Sequence, residues 1–148
     1  CRLGAIVSGK SEAEANALAS YGLHLGCAYQ IFDDVVDLFA SESEIGKTLG
    51  TDLANGKFTL PLLILLESME ASERDEWIDS YQRGDAEVAV QQLESKLSKY
   101  PILGRVKSEF DSALNQAEPT LLIVSKEDAQ RFQQLLAFVR NLFSRVEQ

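Results

Sequence analysis

Five carboxylates, Asp33, Asp34, Asp37, Glu42 and Glu44, stand just ahead of two lysines, Lys47 and Lys57, each of which follows a glycine. All seven lie within residues 26–61, GCAYQIFDDVVDLFASESEIGKTLGTDLANGKFTLP. Dense acid followed by spaced base suits a protein that holds a divalent metal and a phosphate together. Carboxylates bind the hard cation, the cation binds phosphate oxygens, and lysine ammonium groups neutralise the remaining charge. Gly46, Gly50 and Gly56 let the backbone between the lysines approach a ligand closely. Paired Gly-Lys steps framing one loop point to a ligand with several charges, such as a diphosphate.

These groups need a scaffold. Over residues 13–39, Ala17, Leu18, Tyr21, Leu25, Ala28, Phe32, Val35 and Val36 recur at three- and four-residue steps, which predicts a helix. Ser11 with Glu14 makes a capping box at its start. On this helix Asp33 and Asp37 are one turn apart, and Asp34 and Gln30 project to the same side. The acids thus fall at a helix C-terminus, where the helix dipole already places partial negative charge. A bound cation would relieve that repulsion; the alternative is a solvated acidic face.

AYQIFDDVVD followed by GKTLGTDLANGKFTLP resembles the second aspartate-rich region of the trans-isoprenyl diphosphate synthases. The pattern there is roughly FQxxDDxxD, a short loop, then GKxxGxDLxxGKxTLP. Tyr29 stands where Phe is usual, and Phe58 precedes the Thr-Leu-Pro. The resemblance is dense from residue 1 to about residue 67 and fades into a generic helical tail. It implies an all-α bundle of the isoprenoid synthase type. It also implies a prenyltransferase that condenses an allylic diphosphate with isopentenyl diphosphate, with Mg2+ as cofactor. Carried over residue by residue, Asp33, Asp34 and Asp37 are metal ligands, and Lys47 and Lys57 contact the allylic diphosphate. Gln30 places its side-chain oxygen near the allylic carbon, where it can stabilise a developing cation.

The family's first aspartate-rich motif, its arginine pair and its Lys-Thr pair are not among these residues. Residues 1–148 are therefore expected to be the C-terminal part of a single synthase domain, inactive by themselves and, by resemblance, homodimeric. A non-catalytic synthase-like subunit is the alternative. A terpene cyclase fits less well, because the paired Gly-Lys loop is a synthase feature.

The formal charge of −9 argues against nucleic acid and anionic membrane surfaces as partners. The longest apolar run, residues 60–66, contains a proline and is too short to span a membrane. Two cysteines, Cys1 and Cys27, are expected to be reduced, as in the cytoplasm.

The remainder reads as helices, with no β-type alternation and no repeat. Residues 59–69 form a short apolar helix with Pro61 in its first turn. Ser72 with Asp75 is expected to cap a helix carrying Trp77, Ile78 and Tyr81. Gly84 should interrupt it, and Asp85 should open another with Val88, Leu93 and Leu97 on one side. Pro101 begins a helix through Val106, Phe110 and Leu114 that Pro119 should end or kink. Ser125 with Asp128 caps the last, striped by Phe132, Leu135, Leu136, Val139, Leu142 and Phe143. His24 reads as structural, Trp77 and Tyr81 as core or interface anchors, and Arg140 and Arg145 as cations suited to a helix end.

Overall fold

A computed structural model describes residues 1–39, 50–83 and 86–146. Among these residues every regular element is helical, as the sequence pattern predicts. In chain order they are α1 (Arg2–Val7), α2 (Glu12–Phe39), α3 (Thr51–Ala54), α4 (Leu60–Ser68), α5 (Ala71–Gln82), α6 (Ala86–Lys99) and α7 (Leu103–Ala117). A 3-10 segment, Glu118–Ile123, leads to α8 (Lys126–Phe143). The chain divides into two compact units, one of residues 1–32 with 107–148, the other of residues 33–106. Gly84 and Asp85 lie outside the described residues.

In the first unit α1 ends on Gly9, whose φ of 72° makes a left-handed cap. The amides of Gly9 and Lys10 donate back to the carbonyls of Ile6 and Ala5, closing a Schellman turn. The predicted capping box opens α2. The Glu14 amide donates to Ser11 Oγ at 3.3 Å, and the Glu14 carboxylate accepts from the Ser11 amide at 2.9 Å. Tyr21 is fully buried, its ring 4.9 Å from that of Phe132 and its hydroxyl donating to the Phe132 carbonyl at 2.9 Å. Burial pushes its phenol pKa up to about 12. Lys10 pairs with Asp128 at 2.5 Å.

α7 buries Val106, Phe110, Leu114 and Ala117 at helical spacing, with Phe110 4.8 Å from Phe143 of α8. The chain leaves α-geometry for the 3-10 segment as it reaches Pro119. Ser125 caps α8 by accepting from the Asp128 amide, as expected. Leu136, Val139 and Phe143 carry the buried stripe, whereas Leu135 is exposed.

In the second unit α4 is buried on several sides through Pro61, Leu62, Ile64, Leu65 and Leu66. Its neighbour α5 differs from expectation at its start. Glu70, not Ser72, is the N-cap, and no side chain closes it. The Glu70 amide donates to the Tyr100 hydroxyl at 3.3 Å instead. On α6, Val88 is exposed and Ala89 takes the buried position one turn before Leu93.

Glu73 of α5 joins this helix to α6: it accepts hydrogen bonds from Lys96, from Lys99 at 2.6 Å and from Tyr100 at 2.8 Å. Lys96 first, then Lys99 and Tyr100, hold the Glu73 carboxyl down to about 2 from an ordinary 4.5. A depressed carboxylate contributes stability that is complete above its unfolded value and is lost as pH falls toward its folded value. Glu73→Gln is therefore expected to flatten the acid limb of the stability curve. Thermal melts from neutrality downward should show the wild-type advantage shrinking between pH 4.5 and about 2. A constant difference across that window would contradict the assignment.

Candidate functional site

The C-terminal turns of α2 are held by Val35 and Leu38, both buried. Around these anchors Asp33 faces solvent, Asp34 is buried at 8% exposure, and Asp37 is half-buried. Gln30 is exposed on the same helix. The acids are thus set in distinct environments rather than on a uniformly solvated face.

Asp37 lies against the start of α3. Its carbonyl accepts from the Gly50 amide at 3.0 Å, and its carboxylate accepts from the Asp52 amide at 3.2 Å. The first amides of a helix lack intrahelical partners, so Asp37 satisfies α3 from outside. Burial, first of all, raises the Asp37 carboxyl pKa, with the charges of Asp52 and Asp33 adding to it; the Asp52 and Thr51 amides oppose the rise. Asp37 therefore has amide donors that offset part of its charge without a cation, which depends on the position of α3 and not on the helix dipole. Those amides offset the negative charge only in part, since the net direction remains upward.

Two glycines make the turn possible. Gly50 has φ 68° and Gly56 φ 78°, a region that disfavours side chains. A Cβ on Gly50 would also lie 3.2 Å from Val90 Cγ1 of α6. After α3 the chain turns so that the Lys57 amide donates to the Asp52 carbonyl at 2.9 Å. The Lys57 ammonium then reaches the Asp52 carboxylate at 2.7 Å. Its pKa is raised, first by that hydrogen bond and the Asp52 charge, with smaller contributions from Asp37 and Asp34. Lys57 is otherwise open, its side chain 66% exposed.

Asp34, Asp37, Asp52 and Lys57 thus share one electrostatic neighbourhood. Among the described residues no three carboxylate, histidine or cysteine side chains converge on a single ligation point. Magnesium takes one or two carboxylates directly and fills its remaining positions with water and phosphate oxygens. The side chains are hard oxygen donors, and although burial is the larger cause of the raised Asp37 pKa, the charges of Asp52 and Asp33 that add to it are of the kind a divalent ion would neutralise. Lys47, with Glu42, Glu44 and Gly46, lies outside the described residues.

Sequence reasoning gave no role to Asp52, although an acid after a Gly-Thr step and five residues before a lysine was a usable signal. It also read Tyr81 only as an anchor. The Tyr81 hydroxyl donates to the Leu53 carbonyl at 3.0 Å, which local pattern could not show. His24 is half-buried, and Cys1 and Cys27 are free and exposed. No helix among the described residues is long and apolar enough to cross a membrane.

Comparison with known proteins gives this geometry a context. The polyprenyl synthetase family matches residues 1–97, from α1 into α6. An octaprenyl diphosphate synthase of Haemophilus influenzae is 35% identical over 118 residues, covering 77% of this chain and 36% of the relative. Component 2 of the heptaprenyl diphosphate synthase of Bacillus subtilis is 37% identical over 107 residues, covering 72% of this chain and 27% of the relative. The crystal structure of a decaprenyl diphosphate synthase from Rhodobacter capsulatus superposes with a TM-score of 0.77 at 26% identity. It covers 98% of this chain and 44% of that one. The chain thus spans about a third of the length of the curated relatives it matches. With the all-α fold in agreement, this chain belongs to the polyprenyl synthetase family.

Proposed function

We propose that residues 1–148 form the C-terminal part of a synthase domain that condenses an allylic diphosphate with isopentenyl diphosphate to give a longer polyprenyl diphosphate. The observation that carries this reading is the Lys57 ammonium, open to solvent yet set among Asp52, Asp37 and Asp34, in a chain of the polyprenyl synthetase family. Asp33, Asp34 and Asp37 would hold magnesium, which when bound draws charge from phosphate oxygens. Lys57 and Lys47 bind and orient the allylic diphosphate and stabilise it as it departs. Gln30 offers its side-chain oxygen to the allylic carbon as positive charge develops there. These roles demand intact acids and lysines, which a non-catalytic subunit would not need. A two-subunit assembly and a cytoplasmic setting belong to the same proposal.

The resemblance assigns half of the metal ligands to an aspartate-rich motif outside these residues, so the chain alone is expected to give negligible product. Substituted for the matching segment of the octaprenyl diphosphate synthase relative, it should support transfer from an allylic diphosphate to isopentenyl diphosphate in magnesium. A folded chimera without activity would overturn the functional reading. Clear product from the chain alone would overturn the division of the site.

A further inference from the structure

Tyr81 occupies a place that the proposed chemistry leaves unexplained. α3 has four residues, so its last carbonyls have no full set of intrahelical partners. The Asp52 carbonyl is satisfied by the amides of Asn55 and Lys57, and the Leu53 carbonyl by the amide of Gly56 and the hydroxyl of Tyr81. This last bond comes from a distant helix, α5, 28 residues along the chain. The same ring meets Phe58 edge-on at 5.4 Å and 88°, and lies nearly parallel to Trp77 at 6.2 Å and 15°. Trp77 is buried at 4% exposure, and α5 is tied to α6 through Glu73. A Cβ on Gly56 would come within 3.6 Å of the Tyr81 hydroxyl, so the turn closes directly onto it.

Tyr81 therefore grips the turn on both sides of Lys57: Leu53 through its hydroxyl and Phe58 through its ring. Lys57 itself has a long, largely exposed side chain; its backbone is fixed in the turn by the bond to the Asp52 carbonyl, and its ammonium is paired with the Asp52 carboxylate. An ammonium on a flexible stem binds an anion better when its backbone is already held in place, because less freedom is lost on binding.

We propose that Tyr81 is a positioning residue, which fixes the Asp52–Lys57 turn so that the Lys57 ammonium meets a diphosphate. This inference rests on the proposed role of Lys57 and adds to it a determinant from α5 that does not touch the ligand.

Calorimetric titration of the chain with inorganic pyrophosphate in magnesium, for wild type, Tyr81→Phe, Lys57→Ala and the double variant, tests it. Tyr81→Phe removes one hydrogen bond and keeps the ring, so affinity should fall by about two- to tenfold. In the Lys57→Ala background the same change should cause no further loss, because the group being positioned is gone. Phe58→Leu keeps the hydroxyl and removes the edge contact; it should weaken binding in the same direction and serves if Tyr81→Phe folds poorly. Unchanged affinity in both variants, or losses that multiply in the double variant, would overturn the positioning role while leaving that of Lys57 intact. Lys57→Ala binding as tightly as wild type would overturn the role of Lys57 and the inference with it.

Discussion

Asp33→Ala is expected to lower turnover by about 10²–10³-fold in an active synthase carrying these residues, the usual loss when one preorganised electrostatic group is removed from a site. Stability should change by no more than about 0.5 kcal/mol, because Asp33 is exposed. The separation of the two effects is the useful feature. Asp34 is buried and Asp37 accepts an amide hydrogen bond from α3, so changing either one would confound fold with function. Steady-state kinetics alongside denaturant melts of the same preparation would decide it. A variant with near-normal turnover would remove Asp33 from the machinery.

Leu53→Ala should have the opposite signature. Leu53 is 1% exposed and is the one buried side chain of α3. Truncating a buried leucine costs about 2–5 kcal/mol, depending on how far the surroundings collapse. Part of that loss should appear locally, since α3 sets the Asp52 amide against Asp37 and the Leu53 carbonyl against Tyr81. Chemical denaturation should show a lower midpoint with an unchanged slope. A cost below about 1 kcal/mol would mean that the turn is held by its polar contacts and not by burial of Leu53.

What could be read from the sequence divides by distance along the chain. Ser11 with Glu14, and Ser125 with Asp128, are bonded three residues apart, and both caps form as the sequence predicts. Pro61 in the first turn of α4 and the break at Pro119 follow equally from local sterics. The expected Ser72 cap fails because the Glu70 amide finds the Tyr100 hydroxyl, 30 residues on, and the helix begins before Ser72. Val88 and Ala89 exchange places for a similar reason. Periodicity fixes the spacing of a buried stripe, whereas its rotation about the helix is set by the partner it packs against.

The same division runs through the site. The acids of α2 and the glycines of the turn were legible as residue types at a spacing. The amides that satisfy Asp37 were not, because they depend on α3 folding back against α2, whereas the Asp52 partner of Lys57 is local and its spacing was there to be read. The helix dipole is one of several fields at this helix end, since Asp37 also accepts an amide hydrogen bond from α3. The net shift of the Asp37 carboxyl is still upward, led by burial and reinforced by neighbouring charge.

The central claim is that the α2 acids and Lys57 bind a metal and a diphosphate as one unit. Its most direct test is the affinity of the chain for inorganic pyrophosphate with and without magnesium. If each ligand relieves the charge the other faces, magnesium should tighten pyrophosphate binding by about 5- to 150-fold, and Asp33→Ala should abolish most of that gain. Pyrophosphate affinity that is indifferent to magnesium, or to Asp33→Ala in its presence, would return these carboxylates to an acidic face with no ligand.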